Sequence, residues 1–171
     1  MFGLKFVVQP ADIDERRLED ESAREHVGRV ALDKARAVAQ VHSDAWVLGS
    51  DTAVVLENES LGKPVDSGHA AAMLRALSGR AHEVMSAMAL VGPEGAELQA
   101  LNVTRVEFGE LSRDWIDAYI ESGDPMDKAG AYGIQNQAGT RIRRIDGSYS
   151  GVVGLPLYET GELLRAAGLI A

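Results

Sequence analysis

Two apolar runs rich in strand-forming residues, His82–Val91 and Leu98–Phe108, stand on either side of the turn Gly92-Pro93-Glu94-Gly95. Runs of that kind joined by a short glycine and proline turn predict a long antiparallel hairpin. A hairpin does not fit a purely parallel sheet, so it limits what the rest of the chain can build. Elsewhere helices and strands alternate. Ser22 and Glu25 match a capping box, and Val27, Val30, Ala31, Ala35, Val38 and Ala39 recur at helical spacing, predicting a helix to about Val41. Trp46–Gly49 reads as a buried strand that enters Ser50, Asp51 and Thr52 and continues extended through Ala53–Leu56, before a turn at Asn58–Ser60. Asp66 or Ser67 caps a helix running to Leu77 and closed by Gly79. Ser112 caps another, with Trp115, Ile116, Tyr119 and Ile120 on one face and Gly123-Asp124-Pro125 at its end. Leu4–Val8 predicts a short strand, Asp127–Ile145 a mixture of short strands and glycine turns, and Leu155–Ala167 a last helix with Pro156 in its first turn. The expected fold is α/β: a mixed, twisted sheet with flanking helices.

With 171 residues, 46% of them hydrophobic, the chain is long enough for one compact domain with a substantial core, and 1–171 is read as that single domain. The formal net charge of −9 argues against a nucleic-acid polymer as partner, because long-range electrostatics would repel it. A small polyanion remains open to such a protein if a divalent cation and a few local lysines or arginines reverse the field. No cysteine is present, which excludes disulfides, thiolate metal sites and a cysteine nucleophile, and fits a reducing cytoplasm. No apolar run approaches the ~18 residues of a membrane span, so no membrane partner is expected, and the opening MFGLKFVV is too short for a secretory signal.

Several groups carry possible chemistry. Asp51 lies at the end of an apolar strand, where a carboxylate can face a crevice; it reads either as a metal ligand or general base for water, or as a turn aspartate bonded locally. Asp12, Asp14 and Glu15 form an acidic loop, either solvated or contributing a ligand. Magnesium needs only one or two carboxylates beside substrate phosphates and water, and Glu15 with Asp51 would meet that need. Lys63, in the turn Leu61-Gly62-Lys63-Pro64, and Lys34 on the first helix are point charges suited to phosphate. Asp127–Gln135 and Asp146–Pro156 are rich in glycine, permitting tight turns or close backbone approach to a ligand. Val153-Gly154, if it opens a helix, would offer amides to an anion. The Gln135 amide both donates and accepts, as reading a base edge requires. The four histidines lack metal-ligand spacing, and Ser50 and Ser148 lack a recognisable hydrolase elbow. Trp46 and Trp115 read as core residues.

In chain order, Asp12-Ile13-Asp14-Glu15, Asp33-Lys34-Ala35, Val47-Leu48-Gly49-Ser50-Asp51-Thr52, Leu61-Gly62-Lys63-Pro64, Met73–Gly79, Asp127–Gln135 and Gly147-Ser148-Tyr149 through Val152–Pro156 together resemble the Maf family of nucleotide pyrophosphatases. The wording Lys-Ala-Gly-Ala-Tyr-Gly-Ile-Gln looks like the branch acting on dTTP and UTP, not the branch acting on 7-methyl-GTP. The resemblance implies two lobes around a cleft, a homodimer, a divalent cation (Mg or Mn), and hydrolysis of nucleoside triphosphates, including modified pyrimidine nucleotides, to monophosphate and pyrophosphate. It makes Asp51 the proton acceptor, Thr52 and Gln135 the residues that tune substrate choice, and Glu15, Lys34 and Lys63 the lining of the metal and phosphate site. Against the family pattern, the chain reads as shortened at its N-terminus, without the usual Ser-x-Ser-Pro-Arg-Arg stretch, and has Asn136 where glycine is usual. That departure supports the alternative of a Maf-like protein that binds nucleotide or regulates without efficient catalysis. A purely structural interaction module is the third reading.

Overall fold

A computed structural model describes residues 2–171. Its centre is an antiparallel five-stranded sheet built from β1 (Val47–Leu56), β2 (Glu59–Leu61), β3 (Ala81–Val91), β4 (Glu97–Phe108) and β5 (Ile142–Asp146), in the order β2-β1-β3-β4-β5. The expected hairpin is β3 and β4, in register from Ala81–Glu107 to Val91–Glu97. The α/β class with flanking helices is as expected. Every strand pairing among the described residues is antiparallel, because each strand re-enters the sheet beside one running the other way.

Helix α1 (Ala23–Ala39) begins at the capping box: Glu25 N donates to Ser22 Oγ and Ser22 N donates to Glu25 Oε2. Its buried face, Val27, Ala31 and Ala35, packs on Ala53, Val55, Ala87, Ala89 and Val91 of one side of the sheet. The helix comes unusually close because the contact residues are small. A Cβ added to Gly49 would stand 2.4 Å from the carbonyl oxygen of Ala31. Strand alternation therefore turns Gly49, Asp51, Ala53 and Val55 toward α1, and Ser50, Thr52, Val54 and Leu56 toward the opposite side. There α2 (Ser67–Leu77, capped by Asp66) and α3 (Arg113–Glu121, capped by Ser112) close one part of the core with Val54, Leu56, Val84, Val106 and Phe108. Leu163 and Leu164 of α5 (Leu157–Ala166) cover Met88 and Leu90.

Three local expectations are corrected. Leu4–Val8 forms no strand; Phe6, Val7 and Val8 are exposed in an irregular segment. Strand propensity expresses itself only against a partner ladder, and this segment has none. Asp127–Ile145 yields short 3-10 turns and β5, not several strands. Val153-Gly154 ends a five-residue helix, α4 (Tyr149–Val153), and does not open one. Gly154 adopts φ 117°, and its N–H is already bonded to the Ser150 and Gly151 carbonyls, so it offers nothing to an anion.

Only Val54–Leu56 of β1 pairs with β2. Among the described residues, the β1 edge from Val47 to Ala53 opposite β3 has no partner strand, leaving the backbone on both sides of Asp51 and Thr52 unpaired there.

Candidate active site

The close approach of α1 to β1 sets the site. Lys34 lies between Ala31 and Ala35, the residues that abut Gly49, and so projects over the next inward position of β1, which is Asp51. Lys34 Nζ donates to Asp51 Oδ1 at 2.9 Å and lies 3.1 Å from Glu15 Oε1. One ammonium thus draws together two carboxylates from distant parts of the chain. Burial works against the Lys34 charge, but the bonds to Asp51 and Glu15 outweigh it and raise its pKa above the ordinary lysine value.

Glu15 belongs to the irregular N-terminal segment, yet that segment is tied to α1. Arg29 Nη2 donates to the Arg16 carbonyl at 3.0 Å. Arg29 Nε and Nη2 also donate to the two oxygens of Glu21, at 2.7 and 2.9 Å. Hydrogen bonds from Arg29 hold the Glu21 carboxyl down at about 2, against the opposing effect of desolvation. Asp14 is occupied by Arg16 and does not join the cluster.

Thr52 follows Asp51 but faces the other side of the sheet. Its Oγ1 is 2.7 Å from Ser86 Oγ on β3, which in turn donates to the Gly151 carbonyl of α4 at 2.7 Å. Ser50 on the same side donates to the carbonyls of Ala87 and Gly154. Ser148 caps α4 through Gly151 N and touches Ser150 Oγ. Among the described residues neither serine hydroxyl has a base beside it; that of Ser50 ties β1 to the end of α4, and that of Ser148 caps the helix.

Lys63 and Gln135 make no hydrogen bond or ion pair with the Glu15–Lys34–Asp51 cluster among the described residues. Their loops meet each other: Gly130 N donates to the Gly62 carbonyl at 3.0 Å. Gly130 has φ 68°, and a Cβ there would meet Val54 Cγ1 at 2.9 Å, so the loop needs glycine to lie against β1. The charge of Lys63 contributes to lowering the Asp127 carboxyl, behind the larger effect of its bond to Lys128. The exposed Gln135 rides on a tethered turn. Asp124 accepts from Tyr119 Oη at 2.6 Å and from Asn136 Nδ2 at 2.5 Å, and Tyr119 Oη also accepts from Gly133 N. In this chain Asn136 therefore contributes a bond that glycine could not make.

Sequence reading missed Ser86. A single serine inside the apolar β3 gives no motif; only its position opposite Thr52 reveals it. Of the histidines, His82 is buried, with Nε2 2.7 Å from Tyr132 Oη and no partner for Nδ1 among the described residues.

Glu15 and Asp51 supply hard oxygen donors, the kind a divalent cation takes alongside water and phosphate. Among the described residues no group of three or more His, Asp, Glu or Cys side chains could hold a metal on protein ligands alone. The pair, already gathered around one cation, suits a metal that also takes substrate oxygens.

The family model for Maf-like proteins matches residues 1–167. The chain is 50% identical to the dTTP/UTP pyrophosphatase of Methylobacillus flagellatus, over 98% of this chain and 84% of that protein. It is 54% identical to the protein of the same name from Xanthomonas oryzae, over 92% and 85%. For the Salmonella typhimurium relative, also so named, the values are 52%, 95% and 82%. With a matching model over nearly its full length, and a carboxylate–lysine cluster at Asp51, which lies within β1 and not at the strand end its motifs suggested, this chain belongs to the Maf family.

Proposed function

We propose that the protein hydrolyses nucleoside triphosphates, dTTP and UTP foremost, to the monophosphate and pyrophosphate. The observation that carries this reading is the convergence of Glu15, Lys34 and Asp51 where α1 crosses β1, in a chain about half identical to proteins named for that reaction. Asp51 accepts a proton from water as the water oxygen bonds to the α-phosphorus. The bond from that phosphorus to the bridging oxygen breaks, and pyrophosphate carries that oxygen away. Lys34, already paired to Asp51, places positive charge beside the incoming phosphates. Glu15 and Asp51 would hold a divalent cation, which neutralises phosphate charge and makes bound water more acidic. Lys63 and Gln135, on adjoining loops, are assigned to phosphate and base. A homodimer and a cytoplasmic setting are part of this proposal; the family resemblance supports the first, and the cysteine-free composition fits the second. Among the described residues no helix is long and apolar enough to cross a membrane.

The test is pyrophosphate release from a panel of triphosphates, with and without magnesium or manganese. Turnover of dTTP and UTP that requires the metal is expected, and Asp51→Asn should reduce kcat by about 10²–10⁴-fold. An Asp51→Asn variant working at the parent rate removes Asp51 from the role of base. Calorimetric binding of UTP with no pyrophosphate would establish a binding protein instead.

A further inference from the structure

We infer that Arg29 is a positioning residue for the cation-binding pair: from α1 it holds the peptide next to Glu15, and so sets how tightly Glu15 and Asp51 together take up a divalent cation. This rests on the proposed use of those two carboxylates as cation ligands, and names the residue on which their pairing depends.

Asp51 is placed by the sheet. It lies inside β1, opposite Ala87 of β3. Glu15 has neither a strand ladder nor a helix to hold it. Among the described residues, two polar contacts join the stretch 10–16 to the folded body. Lys34 Nζ meets Glu15 Oε1 at 3.1 Å, and Arg29 Nη2 donates to the Arg16 carbonyl at 3.0 Å. Asp14 bonds within the stretch, to Arg16. A cation that takes Glu15 competes with the Lys34 ammonium for the same carboxylate. The Arg29 bond, one residue further along, is the tie that cation binding leaves in place.

Arg29 is itself well anchored. Its Nε and Nη2 donate to the two oxygens of Glu21 at 2.7 and 2.9 Å, the paired contact a planar guanidinium makes with a carboxylate. The Glu21 side chain is only 8% exposed and also accepts from Leu18 N at 3.0 Å, so the turn after Arg16 closes around the arginine. Arg29 and Lys34 are five residues apart on one helix, about 7.5 Å along its axis, so a single rigid element supplies both ties. Without Arg29 the stretch keeps only the contact that the cation disrupts. Its backbone must then be ordered at the moment of binding, and that conformational entropy is subtracted from the cation affinity.

The experiment titrates Mn2+ into the nucleotide-free protein and reads free Mn2+ by electron paramagnetic resonance. It compares the parent, Arg29→Met, Arg29→Lys, Glu15→Gln and the double variant Arg29→Met/Glu15→Gln. Arg36→Met is the control, since Arg36 pairs with Glu97 from the same helix and makes no bond to the stretch among the described residues. Arg29→Met should raise the Mn2+ Kd about tenfold, as ordering roughly one further residue would. Arg36→Met should leave it unchanged. Arg29→Lys keeps a charge for Glu21 but lacks the planar fork, so it too should bind Mn2+ more weakly than the parent. With Glu15 neutral its position ceases to matter, and the double variant should bind as Glu15→Gln does. A parent-like Kd in Arg29→Met, or losses that add in the double variant, overturn the inference. If thermal melting shows Arg29→Met unfolded, Arg29→Lys decides, and a parent-like Kd there overturns it. A parent that takes up no Mn2+ overturns it even while cleaving UTP. Pyrophosphate release from UTP by the same preparation tests the hydrolytic reading separately: a parent that binds Mn2+ and cleaves nothing fails that reading and leaves the Kd comparison standing.

Discussion

Lys34 Nζ reaches Asp51 Oδ1 across 2.9 Å, joining the buried side of helix α1 to the face of β1 beneath it. The same ammonium is 3.1 Å from Glu15. Lys34 and Asp51 are mostly buried, Glu15 about half exposed, so the cluster lies between a solvent-screened and a fully buried ion pair.

Lys34→Met should therefore cost about 1–2 kcal/mol of stability, between the values typical of surface and buried pairs. The larger consequence is local: two carboxylates are left facing each other without a cation. Magnesium or manganese should then raise the melting temperature of the variant more than that of the parent. Equal shifts in both proteins would mean that Glu15 and Asp51 do not share a cation. Activity should fall in the variant even at saturating metal.

Gly49→Ala tests how the site is positioned. The added Cβ would lie 2.4 Å from the Ala31 carbonyl and 2.9 Å from Ala35 N, both backbone atoms that cannot rotate aside. Helix α1 must back away, costing about 1–3 kcal/mol as other overpacked contacts do. Because Lys34 and the Arg29 tether of the Glu15 segment travel with α1, kcat should drop although no polar group has been removed. Urea unfolding and initial rates on the same preparation measure both effects. Parent-like kcat in a destabilised Gly49→Ala would separate the helix position from catalysis.

His82 predicts a pH dependence of stability. Burial pushes its pKa down from 6.5 to about 4. In the unfolded chain the imidazole protonates near 6.5, so as the pH falls below that value the unfolded state binds a proton the folded state refuses. The contribution is complete above about pH 6.5, declines between 6.5 and 4, and levels off below. From pH 7.5 to 5 the loss is about 2 kcal/mol. His82→Gln, which keeps a neutral polar side chain near Tyr132, should lack this part of the slope. Parallel curves for parent and variant over that interval would show that His82 is protonated in the folded protein.

The periodic parts of the fold were legible in the chain itself. The Ser22–Glu25 box marked where α1 begins, Asp66 and Ser112 marked two more helix starts, and the apolar runs around Gly92–Gly95 marked the central hairpin. These are local signals, set by caps and by spacing, so residues within a few positions determine them. Leu4–Val8 looked like a strand by the same signals and is not one, since pairing is decided by what lies alongside. The ordered motifs singled out Glu15, Lys34, Asp51, Thr52, Lys63 and Gln135, without distances among them. That Lys34 bridges Glu15 and Asp51 depends on how closely α1 sinks onto Gly49. That Thr52 turns away from Asp51 into a hydroxyl relay depends on which strand lies beside β1 and which helix lies above it. Both are contacts between residues far apart in sequence, and only the packed chain brings them together.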